Sequence, residues 1–121
     1  MGACEILDRD QYSFEELVLS TVARVLVEVF GETGASFIYS HLRRRAGLEK
    51  ERIPWETRRF REGIVEMLGS GGIALLNRII EKLAAEIDGE PPRGRDLRFE
   101  DKLRILNESY LRGARARLQP T

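Results

Sequence analysis

Between Ser13 and Phe30 the apolar residues recur at helical spacing. At about 100° per residue, Phe14, Val18, Val22, Val25, Leu26 and Val29 share one face, and Leu19, Ala23 and Phe30 widen it. Ser20, Thr21, Arg24 and Glu28 fill the remaining strip. An arc that wide predicts a helix covered on most sides, by the rest of the domain or by a second subunit. Val25, Val27 and Val29 are β-branched at period two, as in a strand, but Leu26 and Phe30 fill the alternate positions and spoil the alternation. The helix has a start signal: Ser13 with Glu16 three residues on fits a capping box, in which each side chain bonds the other's backbone N–H. Tyr12 and Leu17 stand where a hydrophobic staple would clamp the entry.

The rest of the chain repeats the helical period. Gly31 is available as a left-handed C-cap, Glu32-Thr33-Gly34 reads as a tight link, and a second helix runs from Thr33 or Ala35 to Ala46. Its stripe is Ala35, Ile38, Tyr39, Leu42 and Ala46, and Gly47 closes it. Leu48 to Ile53 reads as a charged linker. Pro54 opens a third helix, to Leu68, that turns Phe60, Ile64, Met67 and Leu68 inward. Gly63 in its middle predicts close approach of another helix backbone.

Gly69-Ser70-Gly71-Gly72 is the clearest break. A fourth helix follows to Ile87, with Ile73, Leu76, Ile79, Ile80, Leu83 and Ile87 on one face, and Gly89 ends it. Glu90-Pro91-Pro92-Arg93-Gly94-Arg95 is an extended hinge. The last helix presents Phe99, Leu103, Leu106, Tyr110 and Ala114, with Leu111 and Leu118 beside them. The expected fold is all-α: one domain, a compact bundle of about five helices with the apolar helix 13–30 at its centre. Residues 1–12 form a polar lead, 13–88 a four-helix core, 89–97 a linker and 98–118 a C-terminal helix free to dock on a second subunit.

Length and composition agree with this. A chain of 121 residues makes one domain and buries enough surface to need neither metal nor disulfide. No apolar run approaches the roughly 18 residues of a membrane span, and the first residues lack the basic-then-apolar pattern of a secretory signal. The single cysteine, Cys4, points to a reducing cytoplasm.

The formal net charge is zero, but the charges are segregated. Residues 1–40 carry 2 basic and 7 acidic side chains, and residues 41–61 carry 8 and 3. Residues 62–90 carry 2 and 6, and residues 91–121 carry 8 and 4. The blocks either pair with one another, within or between chains, or the two basic ones form an anion-binding surface. Candidates for phosphate or nucleic-acid contact are Arg43, Arg44, Arg45, Arg52, Arg58 and Arg59, with Arg112, Arg115 and Arg117 near the C-terminus. Trp55 and Phe60 lie within the first block and could add stacking. Glu49, Glu51 and Glu56 dilute it.

Catalytic signals are absent from the pattern. Gly69 to Gly72 and Gly31 to Gly34 lack the lysine and the strand context of a phosphate loop. His41 is the lone histidine and Cys4 has no cysteine partner, so no metal-ligand spacing exists. Neither a Cys4–His41 nucleophilic pair nor the carboxylate pairs Glu62/Glu66 and Glu28/Glu32 form a motif. No cofactor is implied, and no enzyme is expected.

Phe30-Gly31-Glu32-Thr33-Gly34-Ala35, followed by Ile38-Tyr39-Ser40-His41-Leu42, resembles small helical archaeal proteins of unknown function. Ile53-Pro54 and Met67-Leu68-Gly69-Ser70-Gly71-Gly72-Ile73 are similar to steps in that group. The resemblance covers about residues 28–88, implies an archaeal helical domain and transfers no site residue.

The expectation is a non-enzymatic helical interaction or regulatory module that self-associates as a homodimer or meets a protein partner. Val22, Leu26, Phe99, Leu103, Leu106 and Tyr110 are its candidate contact residues. The alternative is a nucleic-acid binder built on the arginines of 41–61 and the C-terminus, which the balanced net charge weighs against.

Overall fold

The computed structural model describes residues 13–94 and 96–118, with side chains described as far as Gly113. The described residues form four α-helices and one 3-10 helix: α1 (Phe14–Ala46), the 3-10 helix Lys50–Trp55, α2 (Thr57–Leu68), α3 (Ser70–Glu86) and α4 (Phe99–Leu118). Among the described residues there is no strand. The polar lead and Tyr12 lie outside them.

The capping box at Ser13 is formed: Ser13 Oγ accepts from the Glu16 N–H at 3.1 Å, and Glu16 Oε1 accepts from the Ser13 N–H at 3.0 Å. The expected break at Gly31 is present: Gly31, at φ 77° and ψ 173°, is non-helical and parts two helical segments that α1 joins across a kink. The link is shorter than expected, because residues 32–34 already belong to the second segment, which runs to Ala46. Phase explains the kink. Ile38 and Leu42 lie 20 residues beyond Val18 and Val22, so a straight helix would turn them about 200° away from the core. All four are buried. Gly31 resets the phase, and its backbone conformation is one that only glycine adopts readily.

The two halves of α1 then do different work. The first half packs antiparallel to α3, and Arg24 meets Glu86 at 3.0 Å while Glu28 meets Lys82 at 3.2 Å. The second half packs on α2 and the 3-10 helix. Its end is a left-handed C-cap: Gly47 adopts φ 64° and its N–H donates to the Arg43 carbonyl, while the Leu48 N–H donates to the Leu42 carbonyl. Leu48 itself is buried.

The structure corrects the sequence pattern at several points. The stretch read as a charged linker is largely the 3-10 helix, held by fully buried Ile53, and Pro54 lies inside it, so α2 starts at Thr57. Only Gly69 separates α2 from α3; Ser70, Gly71 and Gly72 are already helical. Gly63 meets a side chain where a backbone was expected: Leu42 Cδ2 lies 2.5 Å from where a Cβ would stand. The close backbone approach is at Gly72, whose missing Cβ would lie 2.7 Å from the Ile64 carbonyl oxygen. Val29, Phe30 and Ile73 are exposed, while Thr21, read as polar strip, is buried. At the end of α3 the left-handed residue is Asp88, at φ 57°, and not Gly89.

α4 closes the core of the same chain. The Phe99 ring packs, tilted, at 5.8 Å from that of Phe60 of α2, and the Tyr110 ring likewise at 5.9 Å from that of Phe14 of α1. Phe99, Leu103, Leu106, Tyr110, Val22 and Leu26 are each at most 5% exposed. These six are therefore not a surface for a second copy, as the sequence pattern had suggested; their apolar area is spent inside the chain.

Candidate interaction surface

The arginine-rich segment divides into a neutralised part and a free part. Arg52 and Arg59 both reach Glu56 at 3.2 Å, and Arg58 reaches Glu62 at 3.2 Å. These are local, exposed pairs of the kind that contribute about 0–1 kcal/mol each, but they take up the charge expected to face an anion. Arg61 leaves the segment altogether and pairs with Glu100 of α4. Arg43, Arg44 and Arg45 are exposed in the last turn of α1 and make no ion pair among the described residues. Their position suits the negative end of the helix dipole. Arg112 is exposed; the side chains of Arg115 and Arg117 lie outside the described residues.

Trp55 is 64% exposed and Phe60 fully buried, so only the former faces solvent with the arginines. Beside them, Ser36, Tyr39, Ser40 and Arg43 form one wall of a cleft of about 310 Å³, and Glu49, Lys50 and Glu51 the other. Lys50 Nζ sits 5.4 Å over the Tyr39 ring, a cation–π contact, and burial pushes the Tyr39 hydroxyl up from its ordinary value.

Next to the free arginines is an apolar face that the sequence pattern concealed. Phe37 is 58% exposed, Val27 and Phe30 are also exposed, and the Phe37 ring lies 6.2 Å from that of His41. Phe30 borders Gly34, where a Cβ would come within 2.6 Å of the Phe30 Cβ. Phe30, Gly34, Phe37 and His41 thus make a continuous strip across the kink. Arg44 prolongs it: seven residues past Phe37, it shares the same side of the helix to within about 20°. Phe37 therefore stands between an exposed aromatic and a free cation. It adjoins Ile38, which is buried; a large aromatic lying off the Ala35–Ile38–Leu42 stripe was the available signal.

Gly72 packs on Ile64, and its N–H already donates to the Gly69 carbonyl at 2.9 Å. Among the described residues no group of three His, Cys, Asp or Glu side chains could hold a metal, and no helix is long and apolar enough to cross a membrane. The carboxylates of Glu28 and Glu62 are engaged by cations. Cys4 lies outside the described residues, and with it any pairing to His41.

Comparisons of the chain with protein-family models, with curated proteins and with solved structures return no match. The resemblance over residues 28–88 accordingly adds no residue to this surface.

Proposed function

We propose that this chain is a non-enzymatic interaction module that self-associates through the outer face of α1 around Phe37. The observation that carries this is the exposed Phe37 on a strip that runs from exposed Phe30 through Gly34 to unpaired Arg44. In a two-fold symmetric contact each residue meets its counterpart's neighbour reciprocally. Two copies of α1 crossing antiparallel at Phe37 set Arg44 of each against Phe30 of the other, with the Phe37 side chains covered between them. Covering an aromatic side chain of this size stabilises the contact by about 1.5–3 kcal/mol. A guanidinium over the Phe30 ring adds a cation–π contact of about 0.5–1 kcal/mol and fixes the direction of crossing.

Phe37→Ser tests the reading. It removes a solvent-facing side chain, so the unfolding midpoint should hold while the mass by light scattering falls from dimer to monomer. A wild-type protein already monomeric at several hundred micromolar contradicts it.

Arg43, Arg44 and Arg45, left free, also favour a second reading, contact with a phosphate backbone. The ion pairs at Arg52, Arg58 and Arg59 and the zero net charge count against it. Anisotropy of labelled duplex DNA and RNA at low salt decides: salt-sensitive binding abolished by reversing the three arginines supports it, and no binding disposes of it. The lone cysteine is in keeping with a cytoplasmic setting.

A further inference from the structure

On the side of the molecule where α4 begins, α2, α3 and the linker carrying Gly94 and Leu97 enclose a cleft of about 440 Å³. That is within the size range of small-molecule sites. Its apolar lining is Val65, Ile73, Leu76, Leu97 and Phe99, and its charged lining among the described residues is Arg61, Arg98 and Lys102. It continues past Asn77, Gly94 and Lys102 into a second cleft of about 420 Å³ beside Pro91 and Pro92, where Glu81 and Arg93 add one charge of each sign.

The cations are not equivalent. Arg61 is committed to Glu100, and Lys102 Nζ donates to Asn77 Oδ1 at 3.3 Å, a bond to a neutral group that an anion can replace. The Arg98 side chain makes no ion pair among the described residues. Ile73, at the cleft, is 54% exposed in the free chain. The start of α4 is already served by acids, since Glu100 and Asp101 lie in its first turn and Asp101 Oδ2 accepts from the Arg98 N–H at 3.0 Å. The attraction for an anion therefore rests on two side chains: an unneutralised arginine and a lysine beside an apolar lining suit one kind of ligand.

We infer that this cleft binds a small amphipathic anion, whose carboxylate-type head lies between Arg98 and Lys102 and whose apolar body covers Ile73, Leu76 and Leu97. Charge alone gives little in water, and an apolar body alone gives no orientation; the cleft supplies both elements.

Isothermal titration of the full chain with decanoate, and with decanol as the uncharged control, tests this. Decanoate should bind one site, and decanol at least tenfold more weakly. The double variant Arg98→Glu/Lys102→Glu should lose decanoate binding at least tenfold, while Arg112→Glu leaves it unchanged. Should the double variant fail to fold, Ile73→Glu, a change at an exposed position, should abolish binding with the unfolding midpoint retained. Absence of decanoate binding by the wild type, equal binding of decanol, or undiminished binding by the folded variants overturns the proposal. The cleft shares no residue with the Phe37 face, so the mass of Phe37→Ser and these titrations fail independently.

Discussion

Nε of Arg61 donates to Oε1 of Glu100 at 2.8 Å, and Nη2 of the same guanidinium donates to Oε2 at 3.3 Å, a two-point clamp between α2 and α4 across 39 residues of chain. Both side chains are about three-quarters covered. Burial alone would push the Glu100 carboxyl up; the hydrogen bond from Arg61, one from the residue's own backbone and the Arg61 charge outweigh it and hold the group below the ordinary glutamate range. A carboxyl depressed in the folded state stabilises the fold fully above its unfolded value, about pH 4, and that stability is lost as pH falls through the lower folded value. Glu100→Gln should therefore reduce stability by about 1–2 kcal/mol at pH 7 and narrow its gap to the wild type as the pH is lowered below about 4, measured by urea unfolding across pH.

Gly31 carries the second prediction. Its φ of 77° with ψ of 173° is strained for any side chain, so Gly31→Ala should cost about 1–3 kcal/mol. Because the residue resets the phase between Val22 and Leu42, the loss should appear as a lower urea midpoint with helical circular dichroism retained.

Two adjacent glycines should respond in opposite directions. Gly72→Ala puts a Cβ 2.7 Å from the Ile64 carbonyl oxygen and should destabilise by about 1–3 kcal/mol. Gly71→Ala, with open space around its Cβ, should stabilise by up to about 1 kcal/mol through helix propensity. Paired thermal melts distinguish the two.

At the end of α3, Asp88 occupies the left-handed region with φ 57°. Replacing it by glycine relieves the clash between Cβ and the following carbonyl, and Asp88→Gly should stabilise by about 0.5–1 kcal/mol, seen as a melting point raised by a few degrees.

The features legible in the sequence were local. The Ser13–Glu16 capping box, the Gly47 stop and the stripes of α2, α3 and α4 each rest on residues a turn or two apart, and among the described residues each is formed apart from Ile73 of the α3 stripe, which is exposed. The break at Gly31 was legible too, but not its shortness: Glu32-Thr33-Gly34 reads as a link, and nothing local shows that a single residue parts the two segments and makes good the disagreement of about 200° between the stripes of Val18–Val22 and Ile38–Leu42. The wide arc of α1 hid the surface in a different way. Apolar width told how much of Ser13–Phe30 wanted cover, but other helices of the same chain supply it at Val22 and Leu26, leaving Phe30 and Phe37 outside. Nor could spacing separate paired from free arginines without the fold: Arg58 finds Glu62 four residues on, whereas Arg44 has no acid one turn away on its own helix.

Antiparallel crossing at Phe37 is tested most directly by disulfide trapping, with Cys4→Ser as the background. At the two-fold the Phe37 positions of two copies face each other, whereas the two Arg44 positions stand roughly 20 Å apart along the helices, far beyond the span of a disulfide. With Phe37 kept, Phe30→Cys mixed with Arg44→Cys at several hundred micromolar should link the two variants to each other under oxidant, and Arg44→Cys alone should stay monomeric. A mixture that gives no link between the two variants, or an Arg44→Cys that links to itself as readily, contradicts the antiparallel contact.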